Sequence, residues 1–258
     1  VSLSTYKRNY FATESLMEIL GKDTLVDRIT AGYVRKQFAD QNEKPGTTNE
    51  RLTRLKALMR WGYNNDYVPD IRWLDKLSLF KDDEKIEKLE EKYLESEELK
   101  LLLDNLSVMK WKFLAELTAL SGLRCGEAIA LEMSDVDTKN RIISVTKTYD
   151  LVNEIVTTPK TKTSYREVYM QDELLDLCRR IKSYMNQERM AIGYRSSLLL
   201  SDVNGSHISY YAYNKCLKET AWRLFHKNVT SHFMRHTHVA LMAEQGVSLD
   251  VISRRLGH

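Results

Sequence analysis

His232 and Arg235 stand three residues apart in the stretch 231–258, SHFMRHTHVALMAEQGVSLDVISRRLGH. On a helix that spacing puts both side chains on one face. An imidazole beside a guanidinium suits a phosphate that must be held while a proton is exchanged. Gly246 lies where a helix would end in a left-handed residue. Ser248 is placed to cap the next helix, with Val247 and Ile252 as its hydrophobic staple. That helix delivers Leu256, Gly257 and His258.

A second group is SGLRCGE at 121–127. Gly122 and Gly126 bracket Arg124, so the backbone can turn sharply and aim the guanidinium away from the preceding helix. Glu127 falls near the start of the following helix, where a carboxylate is favoured. Alone, the group reads as a structural Arg–Glu pair. Cys125 reads as a small buried filler, not a nucleophile. Lys160 and Lys162 occupy a turn, PKTKTS, between two strand-like runs. His236, four residues after His232, could support the same site but reads first as a structural histidine, as does His238; His207 and His226 read as surface or cap residues. Lys147 and Arg166 read as solvated charge flanking a sheet. Tyr210, Tyr211 and Tyr213 read chiefly as core.

The elements that must position these residues are mostly helical. The chain has 258 residues, 43% apolar and 29% charged, with ten glycines and three prolines. That composition supports a buried core and favours helices over an all-β fold. No apolar run is long enough for a membrane span and no signal peptide opens the chain. Three isolated cysteines give neither a disulfide framework nor metal spacing, which fits a cytoplasmic protein. Residues 173–258 carry 12 Lys and Arg against 7 Asp and Glu, and such a basic excess suits a polyanion.

Residues 3–20 form one predicted helix, stopped by Gly21. Thr30 is placed as the N-cap of a second, with Ile29 and Val34 as staple and Phe38 inside. Thr47 and Glu50 make a capping box that would start a third, with Leu52, Leu55, Leu58 and Met59 as its buried stripe. Lys7, Arg8, Arg51, Arg54 and Arg60 of this helical domain, residues 1–75, with Trp61 and Tyr63 interleaved, read first as a solvated polar face beside core aromatics and otherwise as candidate contacts to a polyanion such as DNA. A charged linker, 76–93, separates it from a larger domain, 94–258. There, helices 96–106 and 109–120 precede the β signal. Three runs, 141–148, 154–158 and 165–170, predict one small antiparallel sheet. Helices then resume from Asp172, Ser209 and Ser231. The expected fold is mainly α with a small antiparallel β-sheet.

SGLRCGEAIAL, a lysine in a β-turn, H-x-x-R and LGH occur in that order. The sequence thereby resembles the tyrosine recombinases, the integrases of phages and mobile elements. The resemblance covers the catalytic region from about Leu94 to His258. The N-terminal helices resemble, less specifically, the family's core-binding domain. It implies a two-domain clamp on duplex DNA. Arg124 and Arg235 would be the two catalytic arginines, His232 and His258 the histidines, Lys160 the turn lysine with Lys162 behind it, and Glu127 the supporting carboxylate. It implies site-specific DNA cleavage and rejoining through a 3′-phosphotyrosine, with no metal or other cofactor. Its partners would be double-stranded DNA, a homotetramer on two sites, and an accessory DNA-bending protein or excisionase. In the family a tyrosine follows the last histidine by about three helical turns. None of the 14 tyrosines stands there. The chain as given is therefore expected to be truncated or without its tail, and to bind DNA without cleaving it. Its start at Val1 is compatible with removal of an arm-binding domain. A type IB topoisomerase-like enzyme and a non-catalytic helix-turn-helix binder use related features and stand as alternatives.

Overall fold

The computed structural model describes residues 3–81, 92–158 and 164–257. The chain divides into two compact units, Val1–Lys88 and Leu89–His258. The charged stretch 82–91, the turn residues 159–163, which include Lys160 and Lys162, and His258 lie outside the described residues.

The first unit contains α1 (Leu3–Leu20), α2 (Ala31–Ala39) and α3 (Pro45–Asn64). Gly21 follows α1 with φ +83°, a conformation cheap only for glycine. Thr30 caps α2 by accepting the Tyr33 N–H at 3.2 Å. Leu16, Ile19, Leu20, Val34, Phe38, Leu52, Leu55 and Met59 fill the core. Tyr10 and Phe11, on the apolar pattern of α1, instead stand exposed. The expected start of α3 at Thr47 is also corrected. Pro45 takes the first helical position, where its fixed φ is preorganised and its missing N–H costs nothing, so the helix is capped at Lys44, three residues before Thr47. Leu58 is only partly buried.

The second unit is built around α5 (Met109–Ser121). Its Phe113, Leu114, Ala115, Leu117 and Ala119 are buried. Around it pack α4 (Ser96–Asn105), α6 (Cys125–Ala130), α7 (Asp172–Ile192) and α9 (Ser231–Glu244). Helices α8 (Tyr210–Phe225) and α10 (Leu249–Leu256) are the other α-helices of this unit among the described residues. Gly246 ends the α9 turn at φ +74°. Ser248 does take the extended N-cap conformation before α10, but its hydroxyl makes no capping bond.

The single sheet expected from the sequence is two. β1 (Val136–Asp137), β2 (Ile142–Val145) and β5 (Arg166–Tyr169) form one antiparallel sheet in the order β1-β2-β5. β3 (Thr148–Asp150) and β4 (Ile155–Thr157) pair separately. The β-branched run at 141–148 breaks after Val145. There Lys147 turns to Glu132 and Asp135, at 2.8 and 3.0 Å, and is not simply solvated.

Gly122 closes α5 at φ +71°, and a Cβ there would meet His238 at 2.5 Å and Leu256 at 2.9 Å. Gly122→Ala should therefore destabilise the second unit by about 2–4 kcal/mol in urea unfolding, combining left-handed strain with overpacking. In the same assay Gly32→Ala, inside α2 with nothing within 4 Å, should stabilise its unit by about 0.5–1 kcal/mol.

Candidate active site

Arg124 immediately precedes α6, in extended conformation, after the left-handed turn at Gly122. Its side chain thus leaves the helix axis. Its backbone N–H donates to Glu127 Oε2 at 2.8 Å and its Nη1 to Oε1 at 2.9 Å. Glu127 is only 3% exposed. A second guanidinium grips the same carboxylate. Arg166 donates through Nη2 to Oε2 at 2.9 Å and through Nη1 to Oε1 at 3.2 Å. Arg166 also donates from Nε to the Arg255 carbonyl at 2.8 Å. The expectation of a solvated Arg166 is thereby overturned, because β5 carries it onto the buried acid. Burial pushes the Glu127 carboxyl up, but the bonds and charge of Arg166, with the bonds from Arg124, outweigh it and hold the group below the usual range.

Helix α9 supplies the facing wall. His232, Arg235 and His236 line a cavity of about 660 Å³ together with Lys92, Arg124 and Leu256. The two arginines, 111 positions apart in sequence, thus border one space. Arg235 donates from Nη1 to Gly122 O and from Nη2 to Leu256 O, each at 2.6 Å. Burial, and then the Arg124 charge, lower its pKa to about 10. A buried Arg235 and a half-exposed Arg124 on one space give the cavity the positive lining an anion would favour. His236 is also lowered, first by burial and then by the charges of His232, Lys92 and Arg235. It lines the cavity, the less favoured of the two readings its i+4 spacing from His232 allowed.

His238, on the same helix, points into the core. Its Nδ1 lies 2.9 Å from Ala119 O, and its Nε2 accepts from Arg255 Nε at 3.1 Å. Nε2 can accept only if the ring is neutral and Nδ1 carries the proton. Burial, then the Arg255 charge, pull its pKa down to about 4. Cys125 is buried and its thiol is pushed up to about 12, so it is no nucleophile at neutral pH.

Elsewhere, His207 stacks on Tyr149 with centroids 4.2 Å apart, and His226 is the left-handed C-cap of α8. Tyr213 is fully buried, whereas Tyr211 is exposed. In the first unit, Lys7, Arg8 and Arg60 are exposed. Arg51 pairs with Glu43 at 2.5 Å, and Arg54 pairs with Glu50 and bonds Asn9. Trp61 stacks on Tyr67. Among the described residues no group of three His, Cys, Asp or Glu side chains could hold a metal. No described helix is long and apolar enough to cross a membrane.

Arg166, Arg255 and Lys92 were not legible as site residues. Arg166 and Glu127 lie 39 residues apart, and nothing in the local pattern of either points to the other. Glu127→Gln should cost about 3 kcal/mol at neutral pH, because it removes the only charge between two guanidinium groups. The folded pKa of Glu127 lies below its unfolded value, so its contribution is complete above the ordinary carboxylate range and fades in acid. Urea unfolding should therefore show the gap between wild type and variant narrowing as pH falls through that range.

A model described as the phage integrase family matches residues 92–258. The chain is 28% identical to the prophage ps2 probable integrase of Lactococcus lactis, over 94% of this chain and 68% of that protein. It is 31% identical to the integrase of a Staphylococcus phage, over 78% of this chain and 62% of that one. It is 34% identical to the ICEBs1 integrase of Bacillus subtilis, over 54% of this chain and 39% of that one. The chain thus spans between about two fifths and two thirds of these relatives. The Tn1549 transposon integrase in complex with transposon right end DNA superposes with TM-score 0.78 at 20% identity, over 100% of this chain and 86% of that one. A lambda integrase dimer bound to a COC′ core site gives 0.71 at 12% identity, over 100% and 86%. At those identities the likeness is one of fold. The sequence match runs along nearly the whole second unit, far beyond the short motifs, and the chain belongs to the phage integrase family, the tyrosine recombinases.

Proposed function

We propose that the protein acts in site-specific DNA recombination, holding one backbone phosphate of duplex DNA for cleavage and rejoining through a 3′-phosphotyrosine. The observation that carries this reading is the convergence of Arg124, His232 and Arg235 on one cavity. Phosphoryl transfer develops negative charge on the non-bridging oxygens, and two guanidinium groups are suited to bind it. His232 sits where an imidazole can orient the phosphate and exchange a proton with the attacking group. Lys160 is assigned the general acid that protonates the departing 5′-oxygen, with Lys162 as its substitute, and His258 a second phosphate contact. Glu127 holds Arg124 in place.

The first unit is assigned to duplex binding through Lys7, Arg8, Arg60 and the more constrained Arg51 and Arg54. Family members described in complex with DNA, among them a lambda integrase tetramer bound to a Holliday junction, support a tetramer on two sites. An accessory DNA-bending protein or excisionase is a partner of the same assembly. Among the described residues no tyrosine lines the cavity, and the attacking group is not assigned to any of them.

In a form extended to the length of its relatives, Arg124→Ala or Arg235→Ala should abolish the covalent adduct with a suicide duplex. Most duplex affinity should remain, since the salt-dependent contacts are spread over many cations. An adduct surviving either change refutes the assignment. Lys160→Ala should slow cleavage, and a substrate with a 5′-bridging thiol, which leaves without a proton, should restore much of the rate. Without that restoration the acid role passes to Lys162 or elsewhere.

A further inference from the structure

Arg255 lies near the end of α10, a helix of eight residues with only Ile252 and Leu256 buried. Leu249 and Val251 point to solvent. So short a helix with so small an apolar face is weakly held by itself. The Arg255 side chain supplies what is missing. Nε donates to His238 Nε2 at 3.1 Å on α9, and Nη1 donates to Tyr169 O at 2.8 Å on β5. Nη2 donates to Gln171 Oε1 at 2.9 Å and to Leu120 O at 3.3 Å, at the end of α5. One guanidinium therefore ties α10 to three other elements. A lysine, with its donors on one nitrogen, cannot span them.

The backbone of the same helix end is used too. The Arg255 carbonyl accepts from Arg166 Nε at 2.8 Å, and the Leu256 carbonyl accepts from Arg235 Nη2 at 2.6 Å. Arg166 in turn grips Glu127, which grips Arg124. Both guanidinium groups of the proposed phosphate site thus depend on where the end of α10 lies. Arg255 is not among the residues lining the cavity.

We infer that Arg255 is a positioning residue of the phosphate site: it pins the end of α10, so that the carbonyls of residues 255 and 256 hold Arg166 and Arg235 in register. This inference rests on the phosphate-binding reading of the cavity, but the anchoring itself can be read without DNA.

The test uses the 258-residue protein with ¹⁵N-labelled arginine. Side-chain spectra follow Nη rotation, and inorganic phosphate is the probe of the cavity. In the wild type, Arg235 and Arg166 should show slow Nη rotation. In Arg255→Ala that rotation should quicken by about 10-fold, the factor expected from losing one hydrogen bond to a charged group. Phosphate affinity should fall by a similar factor, while far-UV circular dichroism stays native. Arg255→Lys, which keeps the charge and the stem, should loosen the same two arginines and gives the reading if the alanine variant does not fold. Unchanged Arg235 and Arg166 rotation in a folded variant overturns the inference. Quickened rotation with phosphate affinity unaltered upholds the anchoring and counts instead against the phosphate-site reading.

Discussion

A single buried carboxylate sets the terms for the second unit. Glu127 is held by two guanidinium groups and one backbone N–H. A carboxylate so far from water is costly unless its lone pairs are satisfied and its charge is matched. Here the matching groups come from two directions. Arg124 arrives from the turn after α5, and Arg166 from the edge of the sheet through β5. The acid therefore joins helix and sheet at the point where the cavity opens. Arg235 and Lys92 border the same cavity, and among the described residues that line it none is an acid.

The end of α5 provides the complementary half. The last carbonyls of a helix have no partner inside it and carry partial negative charge. Around α5 these positions are taken by side chains from later in the sequence. His238 meets Ala119 O, Gln171 and Arg255 meet Leu120 O, and Arg235 meets Gly122 O. The left-handed Gly122 leaves no room for a Cβ against His238 and Leu256, so the turn can sit directly on α9 and α10. Cations at a helix C-terminus thus serve both as caps and as a frame for the anion pocket.

How much of this was legible depended on the range of the interaction. Thr30 as an N-cap and Gly21 and Gly246 as left-handed stops follow from contacts within a few residues. The early start of α3 shows one local signal overriding another: Pro45 outranks a plausible capping box two residues later. The split of the sheet was not legible, because a β-branched run specifies extended backbone but not its partner. Likewise the motif order pointed to Arg124, His232 and Arg235, whereas Arg166 looked like ordinary solvated charge and nothing local singled out Arg255.

By itself, then, the order of residues determined the helical character, the local caps and the family, since these rest on neighbouring residues or on short motifs in sequence. Only the tertiary structure decided that Arg124 and Arg235 border one space, that Arg166 shares Glu127 with Arg124, and that the end of α10 holds Arg166 and Arg235. Those pairings join residues between 21 and 111 positions apart. Such separations leave no periodic trace in a sequence. They arise because a buried ionic group takes its partner from whichever element the packed core brings within reach.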